Sequence, residues 1–227
     1  MTTFNAETEI SSLVSRVKLR KEQAKDFRDD GDVASAIETL EDALSMLEAS
    51  PLFQKDLEII RTPTVPQKTL AFHLADCLGM KGGNHRRLDQ LSSALTCFER
   101  GRGYEESEWL NVPSSYNLVN AIVLPLESGT RTTELRNQLT SAVTTIQRQV
   151  NGERRNDRWA WADLGECQLL LGDLAEARKS YKRLRELGDA DTVQSVVAVL
   201  RRLAGAIGQS EPMVADALRD GAALVLG

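Results

Sequence analysis

Apolar residues recur along this chain at spacings of three and four, so the pattern is helical from end to end. Leu13, Val17, Ala24 and Phe27 supply one apolar side of a first helix over about 7–29, with Lys and Arg on another side. Gly31 breaks that helix, and Asp32 is placed to cap a second, which carries Val33, Ala36, Ile37, Leu40, Ala43, Leu44 and Leu47 to about Ala49. Ser50-Pro51 ends it. Residues 52–60 form a short amphipathic piece, and Pro63 and Pro66 mark a connector. A third helix runs from Gln67 through Leu70, Leu74 and Leu78 to about Gly83; its glycine-rich end implies close contact with another helix.

The fourth helix spans about 89–104, and 105–112 reads as a loop. Pro113-Ser114-Ser115 looks like the start of a helix that Pro125 should kink or end. Leu135, Leu139, Val143 and Ile146 define the next helix, and 151–157 is a charged connector. Then come 158–171, a Gly172-Asp173 turn, 174–187, 192–207 and a last helix that Ser210 and Pro212 open and that ends near Leu226. No stretch alternates with period two for long enough to argue a strand. The expectation is an all-α chain of about ten helices.

One turn-and-helix pattern repeats. It reads Gly172-Asp173, Ala177, Tyr181, Leu184 near the C-terminal end and Gly31-Asp32, Ala36, Leu40, Ala43 near the N-terminal end. A looser copy holds Ala94, Phe98 and Gly101, with Asp89 where the turn glycine would stand. Small residues beside a large one on a single stripe let a neighbouring helix come close. Stacked helix pairs of this kind mostly bind things rather than transform them.

The segment Trp161-x-x-Leu164-Gly165-x-x-Gln168-x-x-x-Gly172, continuing through Ala177, Tyr181 and Leu184, resembles a tetratricopeptide repeat. The copies are not spaced at that family's regular ~34 residues. The resemblance implies a right-handed superhelix of stacked antiparallel helix pairs, one domain over 1–227, with 1–6 flexible and 190–227 as capping helices. A narrower similarity joins Leu74-Ala75-Asp76-Cys77-Leu78-Gly79, Tyr116-Asn117-Leu118-Val119-Asn120-Ala121 and Trp161-x-x-Leu164-Gly165-Glu166. These look like the TRAFs-binding helical region of certain MAP kinase kinase kinases and its bacterial relatives. In that family the region is a regulatory protein-interaction module.

Composition narrows the functional classes. The 227 residues are 41% hydrophobic, enough for a sizeable core, and a formal net charge of −5 makes non-specific nucleic-acid binding a poor expectation. Three cysteines in no Cys-x-x-Cys pair fit a reducing compartment, and no apolar run approaches the ~18 residues of a membrane span. A cytoplasmic protein is expected. The only histidines, His73 and His85, stand at no recognisable catalytic or metal-ligand spacing, so neither an enzyme, a metal site nor a cofactor is expected.

Candidate contacts are therefore those of a partner-binding groove. Lys18, Lys21, Lys25 and Arg28 form one basic stripe on the first helix, which is either a surface for an acidic peptide or phosphate or an ordinary solvated face. Arg86 and Arg87 extend that groove or sit against helix C-terminal carbonyls. Asn117 and Asn120 would bond a ligand backbone or, slightly favoured, the protein itself. Trp161 is expected in the core and Trp159 on the groove side as a contact hot spot. Arg154, Arg155 and Arg158 could serve an acidic partner, although an exposed connector is the simpler account. The tetratricopeptide clamp for a C-terminal carboxylate needs asparagines beside its lysines, and Lys25 and Met80 stand in those places. The expected role is a non-enzymatic scaffold, adaptor or regulatory subunit that docks another protein or an acidic peptide. The alternative is a sensor for a small peptide or nucleotide. The apolar face of the last helix (Val214, Leu218, Ala222, Ala223, Leu224, Val225, Leu226) suggests a homodimer contact.

Overall fold

The computed structural model describes residues 6–53 and 57–227, with side chains from residue 8 onward; the expected flexible stretch 1–6 falls almost wholly outside them. The chain is all-α. Ten α-helices and one short 3-10 turn make up its regular structure among the described residues, in the order α1 (Ala6–Asp29), α2 (Val33–Glu48), the 3-10 turn (Leu57–Ile59), α3 (Val65–Arg87), α4 (Leu91–Glu106), α5 (Tyr116–Glu127), α6 (Arg136–Asn151), α7 (Arg158–Leu170), α8 (Leu174–Leu187), α9 (Ala190–Ile207) and α10 (Pro212–Leu226). No described helix is long and apolar enough to cross a membrane.

The helix starts follow from capping chemistry. Asp32, Asp173 and Asp189 each accept the backbone N–H three residues on, satisfying a donor that the first turn leaves open. Thr64 and Gln67 exchange bonds in a capping box at α3. The turns before α2 and α8 use Gly31 and Gly172 at φ 87° and 83°, and the turn before α4 puts Asp89 in the same left-handed region at φ 58°. A Cβ there is strained. Asp89→Gly is therefore expected to stabilise the fold by up to about 1 kcal/mol, read as a raised midpoint in urea unfolding. An unchanged or lowered midpoint would contradict it.

The helices gather into two compact units, residues 1–118 and 119–227, and α5 runs across the division. In the first unit α1 packs on α2 and α3, α2 on α3, and α3 on α4. Their shared interior holds Leu13, Val17, Leu44, Leu47, Leu70 and Leu74. In the second unit α7 packs on α6, α8 and α10, and α10 also packs on α8 and α9. Tyr181, Leu139, Ile146, Leu200 and Leu218 are buried there.

Three local expectations change. α3 does not stop near Gly83 but continues to Arg87, because its glycines make room for rings. A Cβ on Gly82 would lie 2.6 Å from the Phe98 ring, which packs edge-on to Tyr116 at 6.0 Å between centroids. Pro125 does not end α5 at once, since the helix closes two residues later, with Thr130 N–H donating to the Pro125 carbonyl across Gly129. Phe27 is not core: at the last turn of α1 it is 40% exposed, rotated off the stripe that buries Leu13, Val17 and Ala24. On α10, Leu218, Ala222 and Val225 are buried within the unit, which leaves Ala223 and Leu226 as the exposed apolar residues of the suggested dimer face.

Candidate functional site

In the first unit, α1, α3 and the start of α5 surround a hollow of about 240 Å³. Arg28 from the end of α1 and Arg87 from the end of α3 line it, together with Asp76, Asn84, Tyr116 and Asn117. Three of the nine candidate contact residues, Arg28, Arg87 and Asn117, thus meet at one place although 89 positions separate the first from the last. Arg28 is held by Asp29 at 2.7 Å, and Arg87 is exposed.

The rest of the basic stripe divides by partner. Lys21 forms an ion pair with Asp76 of α3, which lines the same hollow, so this lysine also ties α1 to α3. Lys25 pairs with Glu22 at 2.7 Å on its own helix, and Lys18 is exposed. Arg86 is half-buried beside His85, whose Nδ1 lies 2.6 Å from Gln90 Oε1. Asn120, one turn after Asn117 on α5, is half-buried.

Asn117 does structural work at the rim. Its Nδ2 donates to the Ala75 carbonyl at 2.9 Å and to Glu105 Oε1 at 2.8 Å. A Cβ on Gly101 would come within 2.3 Å of the Asn117 amide, so the absence of a side chain on α4 is what lets this asparagine in. Glu105 is the residue that sequence reasoning missed, since it read as the start of a loop. It is fully buried at the end of α4, and its carboxylate accepts the backbone N–H groups of Asn117 and Leu118 at 3.2 and 2.8 Å and the Ser114 hydroxyl at 2.6 Å. It therefore caps α5 from another helix. Burial pushes its carboxyl above the usual carboxylate range, while the four donors pull it back down. The available signal was Ser114-Ser115, a helix start whose open donors exceed what two hydroxyls can satisfy.

His73 lies one turn before Asp76 on α3 and is 4% exposed. Burial, then the positive charge of Lys21, hold its imidazole down at about 4; Asp76 pulls the other way, and Lys18 adds a smaller downward push. The three cysteines are buried free thiols. Burial and the Asp76 charge raise Cys77 to about 12, and burial raises Cys97 and Cys167 as well, so none is a ready nucleophile. Among the described residues no three His, Cys, Asp or Glu side chains gather to hold a metal ion.

In the second unit Trp159 is 45% exposed, with the Arg158 guanidinium 6.0 Å from its ring centroid. Two expectations there are corrected. Trp161 is half-buried rather than core, because its Nε1 donates to the Arg155 carbonyl at 2.9 Å and holds the indole at the surface. Arg154 is not part of an exposed connector: it is 6% exposed and bonds Asp157 at 2.8 Å and Gln149 at 2.6 Å. No protein-family model matches the chain, and no curated protein matches it.

Proposed function

We propose that this chain is a protein-interaction module of tetratricopeptide type, acting in the cytoplasm as a scaffold, adaptor or regulatory subunit. Its occupant is an acidic segment of a partner protein, seated on the α1–α3–α5 side of the first unit. One observation carries the reading: Arg28 and Arg87, from two helices, line the same hollow, whose one lining carboxylate, Asp76, is paired with Lys21. A carboxylate placed there meets two guanidinium groups, and charge-assisted bonds of this kind are each worth about 1.5–3 kcal/mol. The helices are held by Lys21–Asp76 and by the Glu105–Asn117 network, so little ordering cost falls on binding. A binding role is favoured over catalysis by the buried, poorly ionising thiols and the low-lying His73. The rival reading, a small-ligand sensor, is less well served by this hollow. At about 240 Å³ it falls below the ~300–1,000 Å³ of most small-molecule sites and suits one anchored side chain.

The test is capture of partners from the native cell with the wild-type chain and with Arg28→Glu/Arg87→Glu, followed by titration of acidic peptides from whatever is captured. The double variant should bind at least about tenfold more weakly, and wild-type binding should fall as salt rises. Recovery of the same partner at equal yield from both chains would defeat the proposal. Saturable stabilisation by a small molecule that is lost in Arg28→Glu/Arg87→Glu, read as a rising melting temperature, would favour a sensor at this hollow.

A further inference from the structure

A larger cavity lies elsewhere, in the second unit, where α6, α7 and α8 border an open cleft of about 610 Å³. We infer that this cavity binds a small anion carrying a planar ring, of the nucleoside monophosphate class. Its volume falls within the range of small-molecule sites and exceeds what a lone inorganic anion needs.

Two sets of groups converge there. The first is an aromatic surface with amides around it. Trp161 lines the cavity and stays accessible, while its bond to the Arg155 carbonyl fixes the indole in place. Gln168, two turns further along α7, is 5% exposed and accepts the Ser180 hydroxyl at 2.7 Å; its amide nitrogen carries two donors. On the opposite wall Gln147 donates to Asn151 at 3.3 Å. Amides of this kind read the edge of a base, and indole stacking is tolerant of which base it meets.

The second set is cationic. Arg155, Lys179 and Arg183 line the cavity against a single carboxylate, Glu176, which is already paired with Lys179. Arg183 is oriented beforehand by Glu186 at 2.8 Å and Asn156 at 3.4 Å. This local excess of positive charge stands out because acidic and basic residues balance over 119–227. A neutral sugar would leave the guanidinium groups unused, and a bare phosphate would leave the indole unused. A phosphate joined to a flat ring engages both.

The test is calorimetric and fluorescence titration of the full chain with AMP, GMP, CMP and UMP, with inorganic phosphate as the control. Saturable binding with a change in tryptophan emission is expected. Arg155→Gln/Arg183→Gln should weaken it about tenfold or more while leaving the Arg155 backbone carbonyl to hold the indole. Trp161→Phe, which keeps a ring, should weaken it severalfold and remove most of the emission change. The inference fails if no nucleotide binds by about 5 mM, if phosphate alone binds as well as any nucleotide, or if binding survives both variants unchanged. Acidic-peptide binding at the first unit should be indifferent to these substitutions, so the two proposals stand or fall separately.

Discussion

Replacing Glu105 with alanine is expected to destabilise the first unit by about 3–5 kcal/mol, a fall of some 10 °C or more in its unfolding transition. The size follows from what the carboxylate serves. Two backbone N–H groups of α5, the Asn117 amide and the Ser114 hydroxyl all donate to it, and it has no exposed surface. Alanine leaves these donors buried without an acceptor, and a void beside them. Glu105→Gln should fall between the two, because one amide oxygen remains but an NH2 group now faces donors. Glu38→Ala on the exposed side of α2 serves as the control and should stay within about 0.5 kcal/mol. Urea unfolding of the three variants checks this; a loss below about 1 kcal/mol for Glu105→Ala would show that the network is dispensable.

Acidification supplies the second large effect. His73 sits at about 4 in the folded chain and near 6.5 when unfolded. Between those values the unfolded chain takes up the proton and the folded chain does not, so stability falls as the pH drops from about 6.5 to 4. The loss reaches about 2.5 kcal/mol at pH 4.5, using about 1.4 kcal/mol per pH unit. Glu105 acts with the opposite sign, since its raised carboxyl favours the folded state on the acid side. Comparison with His73→Leu separates the two. The leucine variant retains the Glu105 contribution, leaves no polar atom where the unpartnered Nδ1 now sits, and should lack the histidine-linked loss. Parallel stability–pH curves for wild type and variant between pH 4.5 and 7 would contradict the assignment.

The helices themselves could be read from the chain because their causes are local. Period-3.6 stripes, Asp and Thr caps and glycine turns each act within a few residues, which is why the expected boundaries of α2, α8, α9 and α10 agree with the structure to within about two residues. The glycines of α3 pointed to a close neighbour in the same way, although not to which rings would fill the space. The candidate site was harder to read. Lys21 belongs to the basic stripe by spacing, yet Asp76, 55 positions away, gives it a structural partner. Arg154 has the sequence signature of an exposed connector and is enclosed by Gln149 and Asp157. Trp161 occupies a packing position in the repeat pattern, but one hydrogen bond keeps its indole at the surface.

Local spacing alone thus determined that this protein is helical, where its turns fall and which stripe of each helix is apolar, because hydrogen bonds between residues four apart depend on little else. Which charges are spent on neighbouring helices, and that Arg28 and Arg87 face one hollow while Arg155 and Arg183 face another, was decided only by tertiary packing. The reason is physical: a side chain's partner across a helix interface is set by the register of two surfaces, and no periodicity within either helix encodes that register.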